Sequence, residues 1–129
     1  MYPSLPAAPH YITPEHEAFR RSVRRFVEQA ILPHINDWDE AETFPRELYA
    51  QAAELGLLGL GFPEQYGGTP GDSFYGLVMV EEMARCGSGG LLASLFSHTI
   101  GAPPILAGGT DELKAQVLPA ILRGEKISA

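Results

Sequence analysis

Between Arg85 and Asp111 the chain carries no Asp, Glu, Lys or Arg, and no other feature constrains its fold as tightly. A surface helix needs a polar face toward water, so a segment this apolar is expected to be buried all round, or to turn one face to something apolar outside the chain. Its length approaches that of a bilayer span. Six glycines, the adjacent Pro103 and Pro104, three serines and His98 argue against that use, and no membrane span is expected.

The remaining periodicity is helical. Thr13, Pro14 and Glu15 form a helix start, because the hydroxyl caps a free amide, proline suits the first helical position and an early acid suits the dipole. Phe19, Val23, Phe26, Val27, Ala30 and Ile31 then recur at spacings of three and four on one stripe. Pro33 is expected to kink or restart this helix, which runs on through Ile35 and Trp38 to about Glu42. Pro45 opens a second helix with Leu48, Tyr49, Ala52 and Leu55 on one face, and Gly56 stands at its C-cap. Gly56 to Gly71 reads as a glycine-rich loop with inward anchors such as Leu58, Phe62 and Tyr66.

Asp72 or Ser73 caps a third helix that ends at Gly87, and Ser88 caps a fourth from about Gly89 to Ile100. Pro103 and Pro104 are expected to start another turn or short helix closed by Gly108 and Gly109. Thr110 caps a fifth helix from Asp111 to Leu122, bent by Pro119 and ended by Gly124. No segment alternates polar and apolar residues in the manner of a strand, so the fold class is all-α: an up-and-down, bundle-like domain of about five to six helices.

A chain of 129 residues allows one such domain, expected over residues 14–129, with residues 1–13 as an extended arm. The first 15 residues have no basic n-region and no apolar h-region, so they do not read as a signal peptide. The single Cys86 rules out an internal disulfide framework and fits a reducing, cytoplasmic setting. A net charge of -7 would repel a phosphate backbone, so nucleic acid is not expected as a partner.

Several side chains invite a chemical role and are better explained without one. Arg20, Arg21, Arg24 and Arg25 make a basic patch that reads as a solvated face paired with Glu17 and Glu28. Glu81 and Glu82 are neighbours that point about 100° apart on a helix, with no Glu-x-x-His companion for a metal. Cys86 stands at a helix C-terminus, where the dipole raises a thiol pKa, and so reads as packing. His98 has no base or nucleophile partner and reads as a hydrogen-bonded structural histidine, with a contact near a reacting centre as the sharper alternative. Gly56-Leu-Leu-Gly-Leu-Gly61 follows a helix and meets Pro63, so it lacks the setting of a phosphate loop.

Four segments in order, LYAQAAELGLLGLGFPEQYGG (48–68), LVMVEEMARCGSG (77–89), HTIGAPPILAGGTDELK (98–114) and LPAILRGEKISA (118–129), resemble the N-terminal helical domain of acyl-CoA dehydrogenases. Pro14 to Trp38 is similar to that domain's first helix. The resemblance implies a β-domain and a C-terminal helical domain beyond these residues, with FAD held mainly between those two. It also implies a T-E-P flavin-contacting motif just after Ala129 and a later carboxylate base. On it the chain reads as stopping where the β-domain would begin, with neither catalytic nor cofactor-binding residues of its own.

The reaction implied is α,β-dehydrogenation of an acyl-CoA thioester to the 2-enoyl-CoA. The resemblance further implies a homo-oligomer, dimer or tetramer, with electron-transferring flavoprotein as acceptor. The part it assigns to this domain is one wall of the acyl-chain pocket, matching residue by residue to Leu92, Ala93, Phe96, Ser97 and Ile100. Their spacing puts them on one helical face, and Phe96, the largest, is expected to limit pocket depth. The alternative is a free-standing, non-catalytic helical interaction module that uses the uncharged helix to bind a partner.

Overall fold

Thr13 begins the first helix as its type and position predict: its hydroxyl accepts from the His16 amide, and the His16 ring accepts in return from the Thr13 amide at 2.9 Å. This computed structural model describes residues 11–128, so most of the expected arm, residues 1–13, lies outside the described residues. The described residues form two compact units. One takes in the chain through Phe44 together with Gly71–Leu92, the other Pro45–Pro70 and the residues from Ala93 on. Among the described residues the only β pairing is an isolated bridge, Leu60 with Thr69, so the all-α expectation holds.

In the first unit α1 (Pro14–Phe26) packs chiefly on the helix Ser73–Met83. Val23, Val27, Ile31 and Val78 are fully buried, which is the predicted stripe meeting its partner. At Val27–Ile31 the helix widens into a π-turn, with Leu32 donating to the Val27 carbonyl at 2.9 Å. Pro33 then breaks the ladder, and α2 (Ile35–Ala41) restarts as expected. Asp72 caps the Ser73–Met83 helix through the amides of Phe74 and Tyr75. Asp72 also accepts from His16 Nε2 at 2.9 Å, tying together the starts of the two helices, which run in the same direction. A short 3-10 turn, Ala84–Cys86, leads to Gly87.

In the second unit α3 (Glu47–Glu54) ends where predicted: the Gly56 and Leu57 amides fold back onto the carbonyls of Ala53 and Ala52. The loop that follows is closely packed. Gly61 donates to the Thr69 carbonyl and Thr69 to the Gly59 carbonyl, and a Cβ on Gly68 would collide with the Phe62 carbonyl. Taking Ser73–Met83 as α4 and Gly89–Leu95 as α5, the chain continues into α6 (His98–Gly108) and α7 (Asp111–Leu122). Ala102, Leu118, Ile121 and Leu122 form one core cluster, flanked by Phe62, Tyr66, Ile105 and Leu106. Thr110 caps α7 through Leu113, and Gly124 ends it in the left-handed region at φ 74. A Cβ on Gly124 would come within 2.8 Å of the Tyr49 backbone, so glycine is required there on both counts.

The structure corrects the account of the uncharged stretch. The expected fourth helix, Gly89–Ile100, is broken at Phe96–Ser97, and Pro103 and Pro104 lie inside α6 instead of starting a separate turn. Two prolines are tolerated there because the carbonyls that lose amide partners belong to Thr99 and Ile100, both exposed, while Ala102 is held by the core. Gly89–Gly108 is long and apolar enough, by length and composition alone, to cross a membrane. It is not buried all round: Ile100 is 81% exposed.

Candidate functional site

The break at Phe96–Ser97 organises the site. The Ser94 carbonyl accepts from the Ser97 amide at 3.3 Å and from the Tyr49 hydroxyl at 3.1 Å. The Phe96 carbonyl accepts from both the amide and the hydroxyl of Thr99, at 3.0 and 2.7 Å. His98 opens α6 in a buried position, 5% exposed, and its Nε2 lies 2.7 Å from the Leu58 carbonyl. A carbonyl only accepts, so Nε2 carries the hydrogen and donates it. Burial pushes the His98 pKa below its ordinary value, against the opposing pull of the Leu58 carbonyl, so the ring is neutral at pH 7. Burial likewise raises the pKa of Tyr49 and keeps its hydroxyl a donor.

Side chains along this segment divide into two sets. Leu91, Leu95, His98 and Ala102 are buried, whereas Ala93 and Ile100 are exposed and Leu92, Phe96 and Ser97 are half-buried. None of the five residues expected to line a pocket is fully covered, but Ser94 and Thr99 are exposed among them. The break leaves Leu92 and Ala93 on α5, Phe96 and Ser97 between the helices and Ile100 on α6, which corrects the expectation that the five share one helical face. They offer carbon surface and one hydroxyl, with no charge. Such a surface suits contact with apolar groups. In the glycine-rich segment Gly56–Gly61 the Gly61 amide donates to the Thr69 carbonyl and the Leu57 amide to the Ala52 carbonyl. Among the described residues no group of His, Cys, Asp or Glu is placed to hold a metal.

The charged candidates resolve into a structural network that sequence spacing did not reveal. Glu82 is wholly buried, and three guanidinium groups converge on it: Arg20 at 3.0 Å, Arg24 at 2.8 Å and Arg85 at 2.9 Å. Arg20 also pairs with Glu81 at 2.6 Å and with Glu17 at 3.4 Å. Burial alone would raise the pKa of Glu82, but hydrogen bonds from Arg24 and Arg20 outweigh it and hold the carboxyl below its usual range. The expected solvated arginine face is thus corrected for Arg20 and Arg24, which clamp α1 to α4, and retained for the exposed Arg21 and Arg25. Cys86 is a buried thiol whose pKa burial pushes up, which suits packing.

Comparison with known proteins supplies the frame for this geometry. Residues 13–125 match the family described as "Acyl-CoA dehydrogenase, N-terminal domain". The short-chain specific acyl-CoA dehydrogenase of Clostridium acetobutylicum is 37% identical over 92% of this chain and 31% of its own length. Among solved structures, a putative acyl-CoA dehydrogenase from Mycobacterium smegmatis superposes with a TM-score of 0.83 at 49% identity, covering 89% of this chain and 30% of that one. An acyl-CoA dehydrogenase from Bacillus anthracis, solved in complex with FAD, matches with a TM-score of 0.77 at 30% identity over 92% of this chain and 20% of its own. The chain thus spans about a third or less of the length of these relatives.

Proposed function

The chain belongs to the acyl-CoA dehydrogenase family, as its N-terminal domain, and from that premise we propose that it forms one wall of the acyl pocket in a FAD-dependent enzyme. The reaction is oxidation of an acyl-CoA thioester to the 2-enoyl-CoA. The observation that carries this reading is the uncharged, partly uncovered segment Ala93–Ile100: Ile100 is 81% exposed and Phe96 half-buried, beside a Leu95 that is 1% exposed. A face of carbon that its own domain leaves open gains about 0.8 kcal/mol for each methylene laid against it.

When bound, FAD supplies an acceptor for the hydride that leaves the β-carbon, while a carboxylate from the rest of the polypeptide takes the α-proton. The residues of this chain do neither. Leu92, Ala93, Phe96, Ser97 and Ile100 hold the tail, keep water from it and limit its reach, so that the thioester end is presented in register. Phe96 sets the depth. The β and C-terminal domains of the same polypeptide complete the site, a dimer or tetramer is the working assembly, and electron-transferring flavoprotein takes the electrons. A cytoplasmic setting accords with the free, buried thiol of Cys86.

The test is anaerobic titration of the purified full-length flavoprotein with straight-chain acyl-CoA thioesters. Bleaching of the flavin absorbance by at least one chain length is expected. A preparation that binds no flavin, or whose flavin no thioester reduces, would point instead to a helical interaction module.

A further inference from the structure

We propose that His98 and Tyr49 are positioning residues for acyl-chain selection: together they hold the break at Phe96–Ser97 and thereby fix where Phe96 stands. The inference rests on the pocket-wall reading of Phe96 and adds to it the device that sets that wall. Two side-chain bonds bracket the break. Tyr49 donates to the Ser94 carbonyl at 3.1 Å on its N-terminal side, and His98 donates to the Leu58 carbonyl at 2.7 Å on its C-terminal side. Both acceptors are backbone atoms, and both bonds tie the Ala93–Gly108 stretch to the Pro45–Pro70 segment within one compact unit.

An uninterrupted helix would satisfy the Ser94 carbonyl internally, through the His98 amide, and α5 would then run into α6 with Phe96 rotated to another direction. In the structure the Phe96 ring instead stands with its centroid 6.3 Å from that of His98, which lies 6.2 Å from Phe62. The imidazole is thus both the anchor of the break and part of the surface against which Phe96 rests. An apolar residue of similar size at position 98 would keep the volume and lose the anchor.

The test uses the full-length flavoprotein and a series of straight-chain acyl-CoA thioesters of increasing length. His98→Leu is expected to alter the ratio of kcat/KM between long and short thioesters by roughly five-fold, through KM more than kcat, because a hydrogen bond of ordinary strength is removed from the positioning device. His98→Gln, which keeps a donor, is expected to restore most of the parental ratio, and Tyr49→Phe to shift it in the same direction as His98→Leu. A flavin-replete His98→Leu enzyme with the parental profile would overturn the proposal. If His98→Leu does not fold, Tyr49→Phe decides in the same way. Should Phe96→Ala itself leave the profile unchanged, the pocket-wall reading fails. If Phe96→Ala shifts it and neither positioning variant does, the positioning inference alone fails.

Discussion

At the scale of single residues, the strongest determinant is Glu82, a carboxylate with no exposure and three arginine partners. Glu82→Gln removes the charge that three guanidinium groups share, and is expected to destabilise the domain by about 3 kcal/mol or more, read as a lowered melting temperature. His98 makes a second prediction. Its folded pKa lies below the ordinary value of 6.5, so the folded state binds fewer protons than the unfolded one. The stability it contributes is complete above 6.5 and is lost as pH falls from there through the depressed folded value. Chemical denaturation should therefore show stability declining through this window, with a smaller slope in His98→Gln. Of these residues, His98 was legible in the sequence as a hydrogen-bonded structural histidine, because no base or nucleophile partner accompanies it, and its bond to the Leu58 carbonyl agrees. The Glu82 clamp was not, because its partners Arg20 and Arg24 lie far away in sequence and helical spacing reports only near neighbours.

Among the elements, starts and stops were the legible part. Thr13, Asp72, Ser88 and Thr110 cap helices, and Gly56 and Gly124 follow them, because a cap is a local matter of one side chain or one φ angle. The break at Phe96–Ser97 was invisible because distant partners make it: the Tyr49 hydroxyl and the Leu58 carbonyl. Nor did Pro103 and Pro104 stop the helix that contains them, since packing of Ala102 outweighs the local penalty. The glycine-rich loop is an element in its own right, and Gly68→Ala tests it. A methyl there meets the Phe62 carbonyl, so a loss of about 1–3 kcal/mol in stability is expected on thermal unfolding. A change no larger than that of an exposed Gly-to-Ala substitution would show that the loop yields.

For the whole molecule, the family was legible because long segments of the chain carry its pattern in order, and residues 13–125 match it as one domain. The five wall residues came from that resemblance, and the physical argument for them is separate: an uncharged segment that leaves side chains as large and apolar as Ile100 exposed has surface that gains from apolar contact. The full-length flavoprotein should therefore prefer substrates by the shape of their acyl chain, with the preference responding to changes on this face and not to changes at exposed charges such as Arg21 or Arg25.

The most direct test of that account is the chain-length profile of Phe96→Ala in the full-length flavoprotein, measured as kcat/KM over a series of straight-chain acyl-CoA thioesters. If Phe96 closes the pocket, the optimum moves to longer chains, with a gain of roughly four-fold for each additional methylene that the space admits. A profile that keeps its optimum while flavin content and stability are parental would contradict the account and remove this face from the acyl pocket.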